Sequence, residues 1–107
     1  MTAILTEIQL ERELQDVKWG EQNHSMLHPT AAYSDPHLRS WIAEEMRDRC
    51  NNAFSMQEGD WFMILQEEIA EAFEQAALGN TEALRTELIQ VAAVVVAMIE
   101  CLDRNGL

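Results

Sequence analysis

The chain has 107 residues, 48% of them apolar, with only four Gly and two Pro; this is one domain near the small end of the usual range, and disorder is excluded. Nineteen acidic residues against seven basic ones give a net charge of −12, which argues against binding to a nucleic acid polymer or an anionic membrane and requires divalent cations to bridge any phosphate ligand. Two cysteines, Cys50 and Cys101, are too few to staple a secreted scaffold and read as reduced thiols of a cytoplasmic protein.

No basic start followed by an apolar run opens the chain, so no signal peptide is expected. The longest apolar run, Val91 to Ile99, is too short to cross a membrane as a helix. Few Gly and Pro, with many Ala, Glu, Leu and Met, favour an all-α fold.

Residues 3 to 19 predict an amphipathic helix. Ile4, Ile8, Leu14, Val17 and Trp19 fall on one broad face, with Leu10 at its edge, and Gly20 ends it. Residues 20 to 35 (GEQNHSMLHPTAAYSD) have no period and contain His24, His28, Pro29 and Tyr33. A stretch of this length either covers a site or hides a short helix. Glu21 and His24 have the spacing of one di-iron ligand pair, but a di-iron bundle needs two, and His28 precedes Pro29, which disfavours helix there.

Ser34 or Asp35 is placed to cap a second helix, with Pro36 in its first turn, running to about Phe54. Leu38, Trp41, Ile42, Met46 and Cys50 form a narrow apolar stripe, and Arg39, Glu44, Glu45, Arg47, Asp48 and Arg49 form the opposite, charged face. The six Met and the Trp41 stripe read as core or subunit interface. SMQEGD (55 to 60) breaks the pattern at Gly59, and Asp60 caps a third helix over roughly 61 to 78. Its apolar side is Trp61, Ile64, Leu65, Ile69, Phe73 and Ala76 or Ala77. A Gly79-Asn80 break follows, and Asn80 or Thr81 caps a last helix that runs to about Arg104. Being apolar nearly all round, this helix is expected at the centre of a four-helix bundle.

The third helix carries Glu67, Glu68 and Glu71; the fourth carries Glu87 and Gln90, just before the most apolar run in the chain. Glu68 and Glu71 are one turn apart, separated by about 4.5 Å along the axis. The short break makes the two helices antiparallel. Glu68 lies eleven residues before Gly79 and Glu87 eight after it, so the two come level to within a turn. Glu-rich helix faces are usually just solvated, and E-x-x-E alone is a weak signal. The second pair strengthens it, because Glu87 and Gln90 precede a run that must be buried. Oxygen ligands without His or Cys suit Mg²⁺ or Mn²⁺, and those ions suit phosphate chemistry.

E-E-x-x-E at 67 to 71, followed after a short hairpin by E-x-x-Q at 87 to 90, resembles the signature of the MazG-like nucleotide pyrophosphohydrolases, which are related to the all-α dimeric dUTPases. The resemblance covers the third and fourth helices closely; the end of the first, QDVKWGEQNH (Gln15 to His24), is similar to one branch of the family, and 25 to 58 match loosely. It implies an all-α, four-helix MazG-type fold assembled as a dimer or a dimer of dimers. It implies hydrolysis of a nucleoside triphosphate to the monophosphate and pyrophosphate. Carried over, Glu68, Glu71 and Glu87 would be Mg²⁺ ligands, and Glu67 a further ligand or the base for the attacking water. Gln90 departs from the usual Asp: its carbonyl can still ligate Mg²⁺, but it brings no charge and cannot act as a base. The Q-V-A-A-V continuation at 90 to 94 resembles one branch of the family. A non-catalytic nucleotide- or metal-binding module of the same fold is the alternative that Gln90 supports.

Four further residues are candidates for substrate contact. Trp19 has the ring to stack on a base and Lys18 the charge for a phosphate, unless Trp19 packs at the helix end. Asn23, with Gln22, could read a base or sugar edge, unless this is simply a polar loop. Arg85 is two residues before Glu87; it contacts phosphate or pairs with a surface acid such as Glu82.

Overall fold

A computed structural model describes residues 1–29 and 34–106. Four helices follow in order: α1 (Thr2–Trp19), α2 (Pro36–Ser55), α3 (Trp61–Leu78) and α4 (Thr81–Asn105). There is no strand among the described residues, and no helix is long and apolar enough to cross a membrane. The expected helices are all present, with ends displaced by a residue or so.

Local chemistry explains those ends. The Asp35 side chain accepts the His37 N–H at 3.0 Å, with Pro36 in the first turn where its missing N–H costs nothing. Asp60 accepts the Met63 N–H at 2.8 Å, and Asn80 the Ala83 N–H at 3.1 Å. Gly79 closes α3 in the left-handed region (φ 73°), where the Asn80 N–H reaches back to the Gln75 carbonyl at 3.1 Å. In the α2–α3 turn the left-handed residue is Gln57 (φ 61°) rather than Gly59. Gly59 is needed for another reason: a Cβ there would run into the Phe54 ring.

The Cα packing divides the chain into two compact units, Met1–Ser25 with Val96–Leu107, and Met26–Val95. In the first, Ile4 is the buried residue of α1. In the second, α2 and α3 form an antiparallel pair closed over small side chains: Ala43 is only 1% exposed, and Ala70, Ala72 and Cys50 are also buried. The buried positions of α2 and α3 are thus these small residues, and not the larger ones of the expected stripes.

Several expected core faces are exposed. Ile8, Leu10, Leu14, Val17 and Trp19 of α1 all face solvent, Val17 at 87%. So do Leu38 and Trp41 of α2 and Ile69 of α3. Helix α4 is not the centre of a core: Leu84 is its buried residue, while Leu88, Ile89 and Val95 are exposed. The helical period groups these residues on faces, but it does not encode which faces another helix covers. The charged face of α2 needs a parallel correction, because Arg39 and Arg47 both reach α3.

Residues 20–29 contain no helix or strand. Glu21 and His24 therefore do not share a helix face, which removes the geometric basis of a di-iron pair. Tyr33 lies outside the described residues.

Candidate metal centre

The α3–α4 hairpin places Glu68, Glu71 and Glu87 so that one carboxylate oxygen from each lies within 4.8 Å of the others. Two come from successive turns of α3 and the third from the opposing helix, as the spacing about Gly79 requires. This is the one His, Cys, Asp and Glu cluster of metal-ligand geometry among the described residues.

The cluster is only partly open to water. Glu68, Glu71 and Glu87 are half-buried, and the Oε2 atoms of Glu68 and Glu87 are shut off from solvent with no hydrogen-bond partner. An unsatisfied buried acceptor costs about 1–3 kcal/mol, and more when charged. Burial first, then the neighbouring Glu71, Glu87 and Glu67 carboxylates, pushes the Glu68 carboxyl above its usual range. Burial, then Glu71 and Glu74, does the same to Glu87, with Arg47 acting against it.

That arginine is the local counter-charge. An Nη of Arg47 donates to Glu71 Oε1 at 3.3 Å, reaching across from α2. The contact is longer than the 2.7–2.9 Å typical of a charge-assisted bond, about, and the guanidinium side chain is 45% exposed. Three carboxylates against one half-solvated guanidinium leave a net charge of minus two when all are ionised. A divalent cation matches that charge, and the all-oxygen donor set is the chemistry of Mg²⁺ or Mn²⁺. The unpartnered oxygens of Glu68 and Glu87 leave acceptor capacity in the same cluster.

Glu67 sits one turn before Glu71 and is half-buried. It acts electrostatically on Glu68 and on the Cys50 thiol, which burial and Glu67 together push up. Gln90 lies one turn beyond Glu87 and is exposed.

Of the remaining candidates, only Arg85 shares a compact unit with the carboxylates. Lys18, Trp19 and Asn23 belong to the first compact unit and the carboxylates to the second. Trp19 is 54% exposed, and Lys18 Nζ lies 4.8 Å from its ring centre. Asn23 donates to Glu21 at 3.0 Å, as in a self-bonded polar loop. Arg85 is exposed and, among the described residues, forms no ion pair with Glu82 or any other acid. On the same two helices, Ile69, Phe73, Ala76, Leu84 and Leu88 line an apolar cavity of about 190 Å³. Sequence reasoning missed Arg47, Glu74 and Cys50 as neighbours of the cluster. Only for Glu74 was there a signal, its i, i+3 spacing from Glu71 on α3.

Comparison of the chain with protein-family models, with curated proteins and with solved structures found no match. The functional reading therefore rests on the residues themselves: an all-α chain whose α3–α4 hairpin gathers three half-buried carboxylates.

Proposed function

We propose that the protein is a Mg²⁺- or Mn²⁺-dependent nucleoside triphosphate pyrophosphohydrolase, a MazG-like hydrolase of nucleotide metabolism that converts a (d)NTP and water to the (d)NMP and pyrophosphate. The observation that carries this reading is the convergence of Glu68, Glu71 and Glu87 with two carboxylate oxygens left without a partner. Glu68, Glu71 and Glu87 would hold the cation. When bound, it supplies charge stabilisation at the phosphoryl oxygens and lowers the pKa of a coordinated water.

The chain's own groups divide the remaining work. Glu67, outside the three-carboxylate contact and beside the Cys50 thiol, would take the proton from the attacking water. Gln90 offers a neutral carbonyl oxygen one turn from Glu87. It adds no negative charge, so the developing charge of the reaction meets one carboxylate fewer than an Asp would present. The −12 net charge makes the cation a condition of substrate approach, since a bare triphosphate would be repelled. The exposed apolar faces of α1, α2 and α4 support assembly as a homodimer or homotetramer. The unpaired thiols suit a cytoplasmic location.

The test is pyrophosphate release from a panel of canonical and modified NTPs and dNTPs, with Mg²⁺ or Mn²⁺ and an EDTA control. Metal-dependent release names the reaction and the nucleotide together. Gln90 favours a second reading, a nucleotide- or metal-binding module without turnover. Tight nucleotide binding with no pyrophosphate release selects it.

A further inference from the structure

We infer that Arg47 is a substrate-phosphate ligand of this site, held ready by Glu71 and released to the polyphosphate when Glu71 engages a cation. The inference rests on the cation-site reading above. It begins from the one ion pair that joins α2 to the cluster, Arg47 Nη to Glu71 Oε1 at 3.3 Å. Of the five N–H donors of a guanidinium, this is the single hydrogen bond that Arg47 makes among the described residues. Its side chain is 45% exposed, while that of Glu71 is 19% exposed. The arginine thus has one donor on the cluster and a side chain nearly half open to solvent.

Two electrostatic consequences follow, and they have opposite signs. Toward a bare cation, Arg47 is a competitor: it occupies Glu71 and repels positive charge. Toward a polyphosphate bridged to the same carboxylates, it is an attractor, because the planar fork matches two phosphate oxygens. Glu71, once shared with a divalent cation, holds the guanidinium less strongly, so the arginine is freed where phosphate oxygens arrive. The site therefore discriminates against the cation alone and in favour of the cation–nucleotide complex. Arg39 does not share this position, since its guanidinium lies over the Phe73 ring at 4.5 Å.

The test uses Arg47→Met, which keeps the stem and removes the charge, and Arg47→Lys, which keeps the charge and removes the fork. Two equilibria are measured on the full chain: Mn²⁺ binding without nucleotide, by electron paramagnetic resonance, and binding of the Mg²⁺ complexes of α,β-imido dNTPs, each of the four bases in turn, by calorimetry. Arg47→Met is expected to bind Mn²⁺ about two- to five-fold more tightly, through loss of an exposed competing charge. It is expected to bind the imido analogue about ten-fold or more weakly, through loss of a charge-assisted contact. Arg47→Lys should keep wild-type Mn²⁺ binding and lose part of the analogue affinity. Parallel weakening of both equilibria in Arg47→Met, or no change in either, overturns the inference and leaves Arg47 as a helix-pairing residue. Failure of the wild-type protein to bind any analogue instead strikes the nucleotide reading itself. Analogue binding that is independent of Arg47 strikes only the role given to this residue.

Discussion

Glu68 and Glu87 stand on different helices, yet each has a carboxylate oxygen shut off from solvent without a hydrogen-bond partner, and with Glu71 they bring one oxygen apiece within 4.8 Å of one another. In the metal-free protein this is a repulsive contact, eased by Arg47 only at one remove through Glu71. Such an arrangement weakens the fold until a cation or a proton enters it.

Replacing one member should therefore separate stability from function. Glu68→Gln removes a negative charge and provides an amide donor for Glu87. In EDTA, its thermal midpoint is expected to rise by a few degrees, about 1 kcal/mol for a domain of this size. It should also lose the stabilisation that Mg²⁺ gives the wild type, and its turnover. Thermal unfolding followed by circular dichroism, with and without Mg²⁺, reads both effects. Retention of the full Mg²⁺ response would exclude Glu68 as a ligand.

The pH dependence follows from the same pair. Glu68 and Glu87 are both raised above the usual carboxylate value of 4.5. The folded state therefore binds more protons than the unfolded one in the interval above that value, so stability falls as pH rises through it. Metal-free protein should be more stable at about pH 5 than at about pH 8. Mg²⁺ should raise the midpoint more at the higher pH, where the ligands are ionised. A metal-free midpoint that rises with pH over this interval would contradict the proximity of the carboxylates.

Gln90 is tested by placing an acid there. Gln90→Asp adds a negative charge one turn from Glu87 and should tighten Mn²⁺ binding about ten-fold. A simultaneous large gain in pyrophosphate release would identify the natural site as a weakened enzyme. Tighter metal binding with slower release would show that the neutral amide has its own place in turnover.

The exposed row Leu10, Leu14 and Val17 on α1 predicts association. Covering such side chains is worth roughly 1.5–3 kcal/mol each. Light scattering should give a mass that is a multiple of 12.2 kDa. Leu14→Glu combined with Val17→Glu should shift it toward the single chain. An unchanged assembly would place the interface on another of the exposed faces.

Ala43 offers a test of the α2–α3 pair that does not touch the cluster. At 1% exposure it has no room for a larger side chain, and Ala43→Leu should cost about 1–3 kcal/mol by overpacking. Urea denaturation measures it; a loss much below that range would show that the helix pair is more loosely packed than described.

Much of this protein is legible in its sequence, because the relevant physics is local. Asp35, Asp60 and Asn80 cap helices with side chains two or three residues from their targets. Gly79 adopts a backbone that other residues resist. The approach of Glu68, Glu71 and Glu87 was also legible, since one tight turn and a 1.5 Å rise per residue, roughly, determine which positions come level. What the tertiary structure alone decided is what covers each face. Periodicity says which side chains share a side of a helix, and does not say whether another helix arrives there. Thus the apolar face of α1 stands exposed, Leu88, Ile89 and Val95 of α4 do too, and the buried positions of α2 and α3 include alanines that no hydrophobic stripe distinguishes. For the same reason Arg47, a residue on the charged side of α2, proves to be the counter-charge of Glu71: their meeting depends on the packing of two helices, and not on any spacing along the chain.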